Sequence, residues 1–398
     1  MKILLVHNRY QQRGGEDLVY EAEGALLESR GHEVIRCEFS NDEINAYSAL
    51  QKFALAGRTV WSGKSYRALA RLVKQERPDV AHFHNTLPLI SPSGYYAVRR
   101  QGCAVVQTLH NYRLTCLNGL LLRNNRPCED CVGKTVLWPG VRHACYRDSR
   151  ATSGAVAAML ALHRTLNTYH RVVDRYIALT PFARSKFLEA GLPTDKIVVK
   201  PNFLQDDPGP RHSPGDFALF VGRIAPEKGI DTLLKAWQRF SPPLPLKIVG
   251  QGPLTPSSPS EDDPTVDWLG PRSRREVLAL MKKAAFLVFP SICYEGLPMT
   301  IVEAYACSLP VIASRRGSMI DLVEAGRTGL HFDPQNADDL AATVRWWLDH
   351  PEAHRPMQHA ARASYEHQFT AERNYQALMD IYRAARAHRT LRQDSGAA

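Results

Sequence analysis

Apolar residues come in short runs, and stretches with helical spacing separate those runs from one end of the chain to the other. In the first half, strand-like runs fall near residues 3–6, 33–37, 79–83, 104–109, 175–179 and 196–199. Helical stretches such as 16–30, 63–76, 92–101 and 181–190 lie between them. In the second half, strands are predicted near 217–221, 245–249, 265–269, 286–289, 310–313 and 329–332, and helices near 228–240, 272–284, 299–308 and 336–349. Strands that alternate with helices imply parallel sheets covered on both faces. The alternation breaks over residues 202–215, where three prolines and two glycines mark a linker. The expected fold class is therefore α/β, with two doubly wound Rossmann-like domains facing a central cleft. The first domain covers residues 1–201 and carries a cysteine-rich insertion at 114–150; the second covers 216–369. A last helical stretch, 370–398, is long enough to pack back on the first domain. Ligands of such sheets bind beyond the carboxyl ends of the strands.

A chain of 398 residues suits two domains of this size. It opens Met1-Lys2-Ile3-Leu4-Leu5-Val6 and then turns polar at His7 and Asn8, which reads as a first strand and not as a signal peptide. No run approaches the ~20 apolar residues that span a bilayer. These features point to a cytoplasmic protein and leave open a peripheral place at the inner membrane face. The net charge of +10 is uneven: residues 1–200 carry 28 Lys and Arg against 17 Asp and Glu, whereas residues 201–398 carry 22 against 23. A basic first half suits an anionic partner, whether nucleic acid, lipid headgroup or pyrophosphate. No zinc-finger, RRM or KH pattern supports nucleic acid.

The chemistry concentrates at the expected carboxyl ends of strands. Glu295 follows the apolar run Ala285–Phe289 on a strand-to-helix turn, and Glu303 lies eight residues on, about one turn into the helix. Such a turn offers backbone N–H groups to phosphate, and carboxylates can grip hydroxyls. Glutamates in a first helical turn also serve simply to complement the helix dipole. Gly222, Arg223 and Lys228 follow the first strand of the second half. There two cations could neutralise a diphosphate or could be ordinary surface charges. His110 ends one strand of the first half; His82 and His84 end the preceding one and alternate onto one face, lining a site or merely capping the strand. Gly14 and Gly15 follow the first strand, where a backbone can approach a ligand closely.

Taken in order, the Gly14-Gly15 loop, Thr108-Leu109-His110, Gly222-Arg223, Lys228-Gly229 and the E-x7-E element from Glu295 to Glu303 resemble the retaining, nucleotide-sugar-dependent glycosyltransferases of the GT-B fold, family 4 (glycosyl transferases group 1). The resemblance covers nearly the whole chain. It implies that Arg223 and Lys228 bind the donor diphosphate and that Glu303 binds the ribose hydroxyls. Glu295, with the backbone of Gly296, Leu297, Pro298, Met299 and Thr300, would hold the sugar and phosphate. His110 would stand near the reacting carbon, Gly14 and Gly15 would close over the donor, and Leu269-Gly270 would flank the base. Gly222 belongs to the same donor loop. No catalytic metal is required, because the cations and the helix start stabilise the leaving diphosphate. The implied reaction moves a sugar from a UDP or GDP donor to a glycan or lipid-linked saccharide, in cell-surface polysaccharide biosynthesis. The rivals are a nucleotide-sugar epimerase on the same fold and a non-catalytic glycan- or nucleotide-binding protein.

Two further features stand outside that pattern. Cys116, Cys128, Cys131 and Cys145 include a Cys-x2-Cys in a loop-rich segment, which fits a structural zinc held by four thiolates or else four unrelated thiols. Cys37, Cys103 and Cys307 read as packing residues, and Cys293 lies on the donor loop. Residues 44–75 mix apolar and aromatic side chains with Lys52, Arg58, Lys64, Arg67, Arg71 and Lys74. They read either as an anionic-membrane contact or as an amphipathic helix covering the sheet.

Overall fold

The computed structural model describes residues 1–11, 14–211, 215–256 and 265–394. Residues 212–214 of the expected linker and 395–398 of the last helical stretch lie outside them. The chain divides into two compact units. The first comprises Met1–Leu121, Cys128–Asn202 and the chain from Asn374 on; the second comprises Leu122–Pro127 and Phe203–Arg373.

The first unit is built on a parallel sheet of β1 (Lys2–Arg9), β2 (Glu33–Ser40), β3 (Val80–Asn85), β4 (Ala104–Leu109), β7 (Arg175–Ala178) and β8 (Ile197–Val199). The short antiparallel hairpin β5 (Leu122–Arg123) and β6 (Arg126–Pro127) falls between β4 and β7 in the chain. The sheet order is β2-β1-β3-β4-β7-β8, so the winding reverses between β1 and β3. β3 and β4 are buried along their whole length. A strand covered on both faces normally reads as an unbroken apolar run. β3 instead carries His82, His84 and Asn85, and each must find a partner inside the protein. The helix Ala371–Asp394 lays Leu378, Met379, Tyr382 and Ala385 into the same core as Ile3, Leu5 and Val106.

The second unit has β9 (Ala218–Val221), β10 (Leu246–Val249), β11 (Val266–Gly270), β12 (Phe286–Phe289), β13 (Val311–Ser314) and β14 (Gly329–Phe332) in the order β11-β10-β9-β12-β13-β14, all parallel. Counted within this sheet, that order is 3-2-1-4-5-6, the Rossmann winding, with its switch point between β9 and β12. The core joins Ala218, Phe220, Ile248, Phe286 and Val288 of the sheet to Leu233, Val344 and Trp347 of the covering helices. The stretch expected as a linker is tied down over residues 203–211. Leu204 bridges Thr370, the Arg362 guanidinium grips Asp207, and Arg211 donates to the Ala284 carbonyl.

One glycine holds the switch point together. Gly229 has φ +71, and a Cβ there would lie 2.0 Å from the Pro290 carbonyl oxygen. The loop after β9 can therefore touch the loop after β12 only if residue 229 has no side chain. Gly229→Ala combines left-handed backbone strain with a backbone clash and should cost about 3 kcal/mol or more. At Gly15 no described atom lies within 4 Å of a Cβ, and Gly15→Ala should leave stability within about 0.5 kcal/mol of wild type. Urea unfolding of the two variants checks both values.

Candidate functional site

The loops after β9 and β12 are laced together before any side chain is considered. Residues Pro226–Lys228 form one 3-10 turn, and Gly229 then opens the helix Ile230–Trp237. The Ile292 N–H donates to the Glu227 carbonyl at 2.9 Å, and Ser291 Oγ reaches the same oxygen at 3.1 Å. This framework brings Lys228 and Glu295 together, with Nζ 2.6 Å from Oε1. Ser291 Oγ donates to that same Oε1 at 2.6 Å. Burial alone would push the ammonium down and the carboxyl up. Each group's attraction for the other outweighs this, so the Lys228 ammonium is raised and the Glu295 carboxyl lowered. The site is an ion pair at the switch point. Ser318 Oγ donates to the Glu295 carbonyl at 2.6 Å and fixes its backbone.

The helix Met299–Ala306 begins directly beyond this pair. Pro298 occupies its N-cap, no side chain caps it, and its first turn contains no acidic residue. Gly296, Leu297, Pro298, Met299 and Thr300 thus present a backbone start with no capping side chain, of the type that receives phosphate. Gly222 closes β9 with its N–H on the Val249 carbonyl. Leu269 and Gly270 end β11, where the Gly270 carbonyl accepts from Gly250 N–H at 3.0 Å.

The other two charged candidates face elsewhere. Arg223, 57% exposed, pairs with Glu227 and not with Lys228's partner. Glu303 accepts from Arg274 Nε at 3.2 Å. Burial pushes the Glu303 carboxyl up against the opposing pull of Arg274. Glu227, Ser291 and Arg274 are site residues that sequence reasoning missed. Ser291 stands just past a strand end, where position gave some signal. The pairing of Arg274 with a residue 29 positions away gave none.

In the first unit Gly14 caps the helix Gly15–Ser29, and its N–H donates to Asp17 Oδ2 at 2.7 Å. Asp17 Oδ1 holds His7 Nε2 at 2.8 Å. His82 and His84 do share a face, but both are buried and neither caps a strand end at solvent. His82 sits between Tyr382 Oη (2.9 Å) and Thr108 Oγ1 (2.7 Å). His84 Nδ1 is 3.0 Å from His110 Nε2, with the rings stacked. Beneath them Glu23 binds the Lys200 ammonium at 2.6 Å and approaches His84 Nε2 at 3.5 Å. Burial is the main cause that lowers all three histidines, His82 to about 4 and His84 and His110 well below their usual value. Nearby, Asn111 Nδ2 donates to Glu16 Oε1 at 2.6 Å; His110, Asn111 and Arg113 line one cavity of this unit.

Among the described residues, Glu23, His82 and His84 form the one set of three ligand-type atoms lying mutually within 4.8 Å. Lys200 already supplies the positive charge there, and both nitrogens of His82 are bonded, so this set is an ion-pair and hydrogen-bond network. Cys116 and Cys131 are buried and Cys128 and Cys145 half-buried, and none of the four is in a disulfide. Cys103 and Cys307 are buried and Cys37 is half-buried; Cys293 lies 3.6 Å from Glu295.

Two Rossmann-like domains in tandem, the second with a cationic loop and two carboxylates at its switch point, are the architecture of a GT-B glycosyltransferase. Family models agree: Glycosyltransferase Family 4 matches residues 13–207, and Glycosyl transferases group 1 matches residues 205–364. The chain belongs to the family-4-like glycosyltransferases of the GT-B fold. It is 30% identical to an uncharacterized glycosyltransferase of Methanocaldococcus jannaschii over 171 residues, 42% of this chain and 48% of that protein. It is also 30% identical to a glycogen synthase of Mycobacterium tuberculosis over 192 residues, 44% of each. The chain thus spans about half the length of the curated relatives it matches. In three dimensions it resembles HepE of Anabaena, solved with UDP and glucose, at a TM-score of 0.64 and 18% identity over 95% of this chain and 98% of that one. At that identity the likeness speaks for the fold.

The histidine network makes stability depend on pH in a defined direction. With native values depressed below the ordinary 6.5, the unfolded chain binds more protons than the native one between about 6.5 and about 4. Stability is therefore full above that window and falls as pH drops through it, by up to about 1.4 kcal/mol per pH unit for each proton. His82→Gln should make the acid-side slope shallower than wild type, as read by urea unfolding at a series of pH values.

Proposed function

We propose that the chain is a retaining glycosyltransferase that moves a sugar from a UDP- or GDP-sugar to a glycan or lipid-linked saccharide acceptor, in cell-surface polysaccharide biosynthesis. The observation that carries this reading is the Lys228–Glu295 pair beside the start of the helix Met299–Ala306, which no side chain caps. A diphosphate needs cations and N–H groups, a sugar needs a carboxylate, and both meet at one sheet edge. The UDP and glucose in the HepE structure and the synthase activity in the name of the mycobacterial relative support the same ligand class.

Breaking the anomeric C–O bond places positive charge on the sugar and negative charge on the departing diphosphate. Lys228, Arg223 and the first-turn N–H groups at Met299 and Thr300 would stabilise that diphosphate, so the chemistry requires no catalytic metal. Arg223 would exchange Glu227 for phosphate, and Glu303 would exchange Arg274 for the ribose hydroxyls. Glu295 is already held on Oε1 by both Lys228 and Ser291, an arrangement for orienting sugar hydroxyls and not for attacking carbon. In a same-face transfer, the leaving phosphate oxygen takes the proton of the acceptor hydroxyl while that hydroxyl oxygen bonds to the anomeric carbon. His110, neutral at ordinary pH, would hydrogen-bond the sugar without adding charge. Gly14 and Gly15 would let the backbone approach the donor.

Calorimetry with UDP and with GDP tests the donor site. One of the two should bind wild type, and Glu303→Ala should lose at least tenfold, about 1.4 kcal/mol. Binding of neither, or equal binding by the variant, overturns the assignment. Conversion of donor without acceptor would instead identify an epimerase.

The acceptor side bears on the membrane. No helix of the described residues is long and apolar enough to cross a bilayer. The helix Gly63–Glu76 buries Leu69 and Val73 and turns Lys64, Arg67, Arg71 and Lys74 to solvent, while Leu50 on the neighbouring helix Ala49–Val60 is 82% exposed. The Lys52 side chain lies outside the described ones. Peripheral contact with an anionic surface is the reading, and co-sedimentation with anionic but not neutral liposomes at low salt is the expected result.

A further inference from the structure

We propose that Cys116, Cys128, Cys131 and Cys145 are the four ligands of a structural zinc ion that fixes the insertion following His110. The backbone ties of these cysteines carry the argument. Leu121 joins two of them: its carbonyl accepts from Cys128 N–H at 2.8 Å, and it leaves the turn at Cys116 that Gly119 N–H closes on the Cys116 carbonyl at 3.0 Å, where the Cys116 thiol donates to Asn118 Oδ1. Gly140 joins the others. Its carbonyl accepts from Cys145 N–H at 2.9 Å, its N–H donates to the Leu137 carbonyl at 3.1 Å, and a Cβ on it would lie 3.4 Å from the Cys131 sulfur and 2.6 Å from Leu117, next to Cys116.

The local architecture fits a metal knuckle. Cys128 follows the hairpin β5–β6 directly, the turn through Cys131 is closed by the Val132 N–H on the Glu129 carbonyl, and Gly133 leaves it at φ +74. The segment also needs a tie. Leu121, Asn124, Asn125, Ala144, Arg147 and Asp148 all hold positive φ, and its regular structure is a two-residue-strand hairpin and the five-residue helix Trp138–Arg142. So little regular structure cannot by itself outweigh that backbone cost, and a bound ion can. Four sulfurs without carboxylate or imidazole select a soft, tetrahedral metal.

No three of the sulfurs lie mutually within 4.8 Å among the described residues. A Zn–S length of about 2.3 Å places ligands about 3.8 Å apart, so binding draws the two cysteine pairs inward around the Leu121 and Gly140 hubs. The thiols lose their protons to solvent as the four Zn–S bonds form.

Elemental analysis of the full chain, purified without chelator, is the test. The expected result is about one zinc per chain, which a mercurial releases as four thiols are titrated. Cys128→Ser or Cys131→Ser should reduce the zinc content at least tenfold. Should those variants fold poorly, cobalt exchange into wild type gives an independent readout: intense d–d bands of tetrahedral thiolate ligation and sulfur-to-cobalt charge transfer. Hydrogen exchange over residues 115–149 should rise on metal removal. Metal-free protein whose four thiols alkylate freely, a disulfide among them, or bound iron in place of zinc would overturn the proposal. None of these readouts depends on glycosyl transfer.

Discussion

The second domain is organised around the ion pair between Lys228 and Glu295. Each partner stands on a loop that leaves the sheet where its winding reverses, and each is partly withdrawn from water, 24% and 14% exposed. Isolated, either charge would be costly at that depth; paired, and with Ser291 on the same oxygen, they are held. The pair explains why Gly229 must lack a side chain, since the two loops have to approach until backbone meets backbone. It also positions the start of the helix Met299–Ala306 beside a cation without supplying a side-chain cap. The result is a cation and an uncapped helix start fixed at one sheet edge, the kind of arrangement that suits an anion.

The first domain meets a different constraint. Its central strand β3 is enclosed on both faces yet carries His82 and His84, and polar groups so placed must be satisfied internally. His82 is satisfied by Tyr382 from the C-terminal helix and Thr108 from β4, whereas His84 shares its Nδ1 with His110 and its Nε2, without a hydrogen bond, faces the Glu23 carboxylate that binds Lys200. Asn374 adds its side-chain oxygen to Lys200. The last helix is thus bound to the first domain by polar as well as apolar contacts. Through His84 the network reaches His110 and holds the ring that the family pattern assigns to the sugar.

Much of this was legible in the sequence. The alternation of runs located both parallel sheets because strand and helix periodicities differ, and a fully buried strand such as Phe286–Phe289 announces itself by having no polar residue. Lys228 and Glu295 were legible as neighbours because both follow strands of one sheet, and parallel strands deliver their following loops to one edge. The partners of Arg223 and Glu303 were not. Glu227 and Arg274 are ordinary surface residues by type, and only the geometry of two separate loops selects them. The composition of residues 202–215 was read as a linker between the domains. Prolines prevent regular structure, but they do not prevent Asp207 and Arg211 from anchoring residues 203–211 to the second domain. His82 and His84 show the limit of reasoning by alternation: it put both on one face and could not tell that the face was closed.

The self-pairing of the donor-side charges has a consequence for specificity. Arg223 with Glu227 and Arg274 with Glu303 each join an exposed guanidinium to a carboxylate largely withdrawn from water. In the proposed donor complex, a nucleotide that brings a diphosphate and a ribose would replace both with charge-assisted bonds. A ligand with only one of those groups leaves the other pair intact and gains correspondingly less. The proposed site would therefore discriminate by requiring both groups together. The half-buried Lys228–Glu295 pair, tied also to Ser291, would keep the loops in place while the outer pairs exchange.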